Sequence, residues 1–134
     1  MTTVSAPIDA TQTPAWAALQ KHHDELVANG ISLKDWFAAD PERVSKLSFD
    51  VAGLHFDLSK NLVTDETIKL LVDLARELHI EERRDAMFAG EHINTTEDRA
   101  VLHTALRRPA SEAGTLVVDG QDVVADVHEV LDRM

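Results

Sequence analysis

The chain has 134 residues, 44% of them hydrophobic and only 4% aromatic, so its length fits one domain or part of one, with a core resting on Leu, Val, Ile and Ala. With 24 acidic against 13 basic residues its net charge is −11, which argues against nucleic acid or an anionic membrane surface as a partner. The absence of cysteine removes disulfides, thiolate catalysis and Cys-based zinc sites.

Residues 1–12 are small and polar without period and read as a flexible N-terminal arm. They carry no basic start and no apolar run of a signal peptide, which suits a cytoplasmic protein. Thr13-Pro14 then reads as an N-cap followed by proline at the first helical position. Trp16, Leu19, His23, Leu26 and Val27 recur at helical spacing, and Asn29-Gly30 ends the run. Ser32 with Asp35 predicts a second, short helix holding Leu33, Trp36 and Phe37. Asp40-Pro41 closes it and starts another, with Val44 and Leu47 facing inward.

The period then changes to two. Leu47, Phe49 and Val51 alternate before Ala52-Gly53, and Leu54, Phe56 and Leu58 alternate after it, which predicts a β-hairpin. Thr64 opens the most strongly patterned helix, with Asp65 and Glu66 in its first turn and a stripe of Ile68, Leu71, Leu74, Ala75 and Leu78. A further helix spans Glu81 to Ala89 and stops at Gly90. The loop Gly90 to Thr95 leads to a predicted helix from Thr96 to Arg108, ended by Pro109. Ser111 to Gly114 reads as a turn-rich link. Leu116 to Val123, folded at Asp119-Gly120, reads as a second small hairpin. A final amphipathic helix carries Val123, Val127, Val130, Leu131 and Met134 and reaches Met134 in mid-stripe, without a stop signal. The predicted class is α+β, mostly helical with two short β-hairpins, and nothing alternates as in a doubly wound sheet.

Three groups of residues could carry chemistry. The histidines, His22, His23, His79, His92, His103 and His128 among them, show no metal-ligating spacing, and no metal is expected. Glu91, His92, Glu97 and His103 cluster around one loop, and carboxylate beside imidazole is the material of acid–base catalysis. The simpler reading gives Glu97 to a helix dipole and His103 to a helix contact. Asn94-Thr95-Thr96 at a helix start, with Arg99 one turn on, could bind an anion; ordinary capping by Thr95 or Thr96, with Arg99 paired to a carboxylate, explains the same residues. Trp16 and Trp36 read as packing rather than as a stacking platform.

The block Met87-Phe88-Ala89-Gly90-Glu91-His92-Ile93-Asn94-Thr95-Thr96-Glu97-Asp98-Arg99-Ala100-Val101-Leu102-His103-Thr104-Ala105-Leu106-Arg107 resembles a segment near the N-terminus of the phosphoglucose isomerase family. Thr13-Pro14-Ala15-Trp16, Asp57-Leu58-Ser59-Lys60-Asn61, Val63-Thr64-Asp65-Glu66-Thr67, Val117-Val118-Asp119-Gly120-Gln121-Asp122-Val123 and Glu129-Val130-Leu131-Asp132-Arg133-Met134 are also similar to family segments. Gln121 and Arg108 stand where the family usually has lysine and asparagine.

The resemblance implies an aldose–ketose isomerase of glycolysis and gluconeogenesis. Such an enzyme interconverts glucose 6-phosphate and fructose 6-phosphate through a cis-enediolate, without metal or organic cofactor. It implies that residues 13–134 are the N-terminal helical and hairpin segment of a larger sugar-isomerase-type α/β enzyme, incomplete at its C-terminal end. The family's catalytic glutamate, histidine and lysine and its phosphate loop would follow Met134, so no catalytic or substrate-binding residue is carried over to this chain. The fragment is then expected to be an inactive scaffold. Its partners would be the remainder of the isomerase polypeptide and, in the full enzyme, a second subunit and the sugar phosphate. Two other readings are a stand-alone interaction module of the same ancestry and an unrelated small enzyme using Glu91, Glu97 and His103.

Overall fold

A computed structural model describes residues 7–134. Among them are six α-helices and two separate two-stranded antiparallel sheets, which is the α+β class the patterning predicts. The chain divides into two compact units, one spanning Asp9–Leu78 and the other His79–Met134.

The first unit begins earlier than the sequence suggests. Residues 1–6 of the expected arm lie outside the described residues, but Ala10–Gln12 already form a 3-10 turn capped by the Asp9 side chain. Helix α1 (Pro14–Asn29) starts on buried Thr13, whose hydroxyl accepts from the Trp16 N–H, with Pro14 at its first position. Gly30, at φ +77°, closes it. Helix α2 (Leu33–Ala39) is capped by Ser32 Oγ accepting from the Asp35 N–H. Asp40 then holds the next turn, its Oδ1 accepting from the Glu42 N–H, and the one-turn helix α3 (Arg43–Lys46) follows. Leu47 faces inward as expected, but Val44 is 48% exposed. The position turned inward is Arg43, because its guanidinium finds acceptors there.

Strands β1 (Ser48–Val51) and β2 (Leu54–Asp57) pair with Phe49 opposite Phe56 and Val51 opposite Leu54. Ala52 and Gly53 both take positive φ, as a primed two-residue turn requires. Side chains alternate across a strand, so these four apolar residues share one face. That face is open: all four are exposed, and the Phe49 and Phe56 rings stack at 5.3 Å.

Helix α4 (Asp65–Glu77) opens with a reciprocal capping box between Thr64 and Thr67. It packs on α1, whose first turn is tied to it by Glu77 Oε2 accepting the Ala15 N–H at 2.9 Å. The α1 stripe is only partly covered. Leu19 and Leu26 are half-buried, while His23 and Val27 point outward. His22 turns to α4 instead, with Nε2 2.8 Å from Thr67 Oγ1.

The second unit begins with α5 (Ile80–Ala89). A core of Ala105, Leu116 and Val124, flanked by Leu102, Val118 and Val123, gathers the rest. Strands β3 (Val117–Val118) and β4 (Gln121–Asp122) turn at Asp119-Gly120, both at positive φ. Helix α6 (Val123–Asp132) starts on Asp122, whose side chain accepts from the Ala125 N–H. Val124, fully buried, anchors it, whereas Val130 and Leu131 are half exposed.

The helix expected over residues 96–108 is absent; only a 3-10 turn, Ala105–Arg107, forms there. Side chains around 94–98 compete for the backbone's conformation. Asn94 and Arg99 exchange both backbone hydrogen bonds at 3.1 Å, Thr96 Oγ1 donates to Asn94 Oδ1, and Asp98 sits at φ +50°. Short polar side chains with local partners stabilise this closed loop over a helical turn.

Candidate functional site

The block from Met87 to Arg107 folds into a loop held at three points. Gly90 takes the left-handed conformation at the end of α5, where its N–H reaches the Met87 carbonyl and the Glu91 N–H reaches that of Ala86. This is the Schellman arrangement, which satisfies the last carbonyls and reverses the chain. The Asn94–Arg99 bridge closes the loop tip, and Asn94 Nδ2 also donates to Glu97 Oε2 at 3.0 Å.

The third point is His92. Its Nδ1 lies 2.9 Å from Asp98 Oδ1 and its Nε2 3.2 Å from Asp119 Oδ2, so one ring spans the loop and the β3–β4 turn. A neutral imidazole has a single N–H to give, whereas an imidazolium gives two. The Asp98 carboxylate, with that of Asp119, holds the His92 pKa above its ordinary value, against the opposing effect of desolvation. With both ring nitrogens engaged by carboxylates, neither is free to take a proton from a substrate, which makes His92 a poor general base. The geometry makes His92 an electrostatic latch.

The other sequence candidates do not join it. Glu97 is held by Asn94, and His103 is exposed with no hydrogen bond or ion pair among the described residues. No hydrogen bond links Glu91, Glu97 and His103 to one another or to His92, and no group of three metal-ligating side chains converges among the described residues. Asn94, Thr95 and Thr96 precede no helix, so neither a helix-start anion site nor helix capping exists there. Arg99 pairs through its backbone, and its guanidinium meets no carboxylate among the described residues. Of the remaining histidines, His79 meets Glu82, His23 meets Asp24 and His55 meets Asp50 nearby in the chain, while His128 reaches the Arg108 carbonyl across 20 positions.

The first unit holds a residue that the sequence did not single out. Arg43 is 5% exposed and forms no ion pair with a carboxylate among the described residues. Its Nε donates to the Ser59 carbonyl at 2.8 Å, and one Nη donates to those of Asn61 and Val63 at 3.0 and 2.8 Å. The Trp36 and Phe37 rings lie 5.1 and 5.7 Å from the guanidinium carbon, placing the charge by two π faces. Trp36 therefore packs, as expected, but on a cation; Trp16 lines a shallow groove with Leu19 and His22. The Asp57 to Asn61 segment works through its backbone. Asp57 Oδ1 accepts the Ser59 N–H, and the bend presents carbonyls to Arg43. No local pattern marks such an arginine. The aromatic pair Trp36-Phe37 a few residues upstream is the nearest signal.

Comparison with known proteins gives these arrangements a family context. The family model described as phosphoglucose isomerase matches residues 57–134. A glucose-6-phosphate isomerase of Bifidobacterium longum is 62% identical over 131 residues, covering 98% of this chain and 23% of the relative. One of Mycobacterium bovis is 60% identical over 97% of the chain, and one of Mycolicibacterium smegmatis 62% over 94%. The chain thus spans less than a quarter of the length of these relatives.

Proposed function

The chain belongs to the phosphoglucose isomerase family, and from that premise we propose that it is the N-terminal part of a glucose-6-phosphate isomerase and serves it as scaffold. The observation that carries this reading is 62% identity over 98% of the chain to a relative of that name. The full enzyme would interconvert glucose 6-phosphate and fructose 6-phosphate in the cytoplasm as a homodimer. The chain alone would be inactive.

Two features support a scaffold role. Two of the four titratable side chains of the most distinctive sequence block are held internally, His92 at both nitrogens and Glu97 by Asn94, and the four do not converge on one another. The apolar faces of the β1–β2 hairpin and of α6 stand open, with Leu54 61% and Val130 51% exposed, and the rest of the isomerase polypeptide would cover them.

The test is an assay of the purified 134-residue chain for glucose 6-phosphate conversion, beside the full-length Bifidobacterium longum relative. Turnover by the relative alone supports the proposal. Turnover by the short chain, once host isomerase has been removed, overturns it, and Glu91, Glu97 and His103 become the residues to replace.

A further inference from the structure

An acidic chain places two consecutive arginines on one cleft. The cleft has a volume of about 430 Å³ and is walled by Phe88, Thr104, Arg107, Arg108, Pro109 and Glu112. Arg107 is exposed, and its guanidinium makes no hydrogen bond or ion pair among the described residues. Arg108 is fixed. Its guanidinium donates to the Phe88 carbonyl at 3.3 Å and to Thr115 Oγ1 at 3.2 Å, and its own carbonyl accepts from His128 Nε2 at 2.9 Å. Glu112 stands 3.6 Å from Arg108, beyond hydrogen-bonding distance, as a loose ion pair. Thr104, also in the wall, has a buried hydroxyl without a partner.

We propose that this cleft binds a small oxyanion, a phosphate or carboxylate group, gripped by Arg107 beside the fixed guanidinium of Arg108. Nothing in the isomerase scaffold reading assigns this cleft. A guanidinium presents paired N–H donors that match two oxygens of one oxyanion, and those of Arg107 have no partner among the described residues. Arg108 cannot swing away, so its charge is already in place when a ligand arrives. Phe88 and Pro109 supply the apolar part of the wall. The remaining carboxylate, Glu112, opposes an incoming anion. Its removal is therefore a signed test that a merely basic surface would not pass so sharply.

The experiment titrates inorganic phosphate, and separately citrate, into the 15N-labelled 134-residue chain at constant ionic strength. The Arg107 side-chain Nε–Hε signal and the amides of residues 104–112 are followed by NMR. Saturable shifts are expected for at least one of the two anions, and which one binds identifies the group. Arg107→Ala should weaken binding about tenfold or more, the loss of a bidentate charge-assisted contact. Glu112→Gln should tighten binding about threefold by removing like-charge repulsion. Circular dichroism checks that both variants keep the fold. Shifts that never saturate, that persist unchanged in Arg107→Ala, or that show no tightening in Glu112→Gln overturn the proposal.

Discussion

His92 Nε2 meets Asp119 Oδ2 at 3.2 Å across 27 positions of chain, while the opposite ring nitrogen holds Asp98 at 2.9 Å. Both aspartates occupy the left-handed region, at φ +52° and +50°, a conformation non-glycine residues adopt sparingly. Two polar turns are thus locked by one ring, and the lock depends on its charge. Because the Asp98 carboxylate, with Asp119, raises the His92 pKa, the folded chain holds this proton more tightly than the unfolded chain. The latch then contributes fully below the ordinary imidazole value of 6.5 and is lost as pH rises through the higher folded-state value. The difference in thermal stability between the native chain and His92→Gln should therefore be largest in mild acid and shrink above neutrality. An NMR titration of the His92 ring should give a midpoint above 6.5; a midpoint at or below it would refute the latch.

The buried arginine carries a larger consequence. Arg43 satisfies three backbone carbonyls and has no ion-pair partner among the described residues, so its loss strands the buried Ser59 carbonyl and leaves those of Asn61 and Val63 unpaired in a partly buried bend. An unsatisfied buried acceptor costs ~1–3 kcal/mol, and replacing Arg43 by Met should destabilise its unit by about 3–5 kcal/mol in urea unfolding. Lysine should rescue only part of this, because a single ammonium lacks the planar fork that reaches Ser59 and Val63 together. Equal stability of the Met variant and the native chain would show that the bend is held by other means.

These two sites mark where sequence reasoning stops. Caps are legible because they act within a few residues: Thr13, Ser32 and Thr64 stand where a side-chain oxygen beside helical spacing places a start, whereas Asp122 reads only as part of the hairpin and caps α6 as well. Both hairpins were legible because Ala52-Gly53 and Asp119-Gly120 supply the positive φ their turns need. The helix expected over 96–108 does not form because Asn94, Thr96 and Asp98 spend their side chains on a closed loop, a competition that periodicity does not weigh. Arg43 was invisible because its acceptors are main-chain carbonyls, which every residue has. Sequence proximity sets His92 among partners it does not meet. Glu91, Glu97 and His103 are near in sequence, but Asp119 arrives only once the second hairpin has folded.

Gly90 and Gly53 separate conformation from space. Both have positive φ, yet a Cβ on Gly53 meets nothing within 4 Å, while one on Gly90 would lie 2.5 Å from Val118 Cγ2 and 3.2 Å from Leu116 Cδ1. Gly53→Ala should cost about 1 kcal/mol, the penalty of the left-handed region alone. Gly90→Ala adds overpacking against a β-branched side chain that cannot swing away, for a total of about 2–4 kcal/mol. Chemical denaturation of the two variants checks the order. Relief of the Gly90→Ala defect by Val118→Ala would identify the clash as its cause.

The capping box at α4 offers a test of coupling. Thr67 Oγ1 accepts the Thr64 N–H at 3.0 Å and lies 2.8 Å from His22 Nε2, while Thr64 Oγ1 accepts the Thr67 N–H at 3.2 Å. Thr64→Ala removes one half of the box and should cost about 1 kcal/mol. Thr67→Val keeps the volume but strands both the Thr64 N–H and the His22 ring, at about 1–2 kcal/mol. In the double variant the helix start is already open, so the second change removes less than it does alone, and the combined loss should fall short of the sum by roughly 0.5 kcal/mol or more. Exact additivity would mean that the two threonines cap independently. A Thr67→Ser variant should restore most of the loss, because it returns the hydroxyl that both the Thr64 N–H and His22 use.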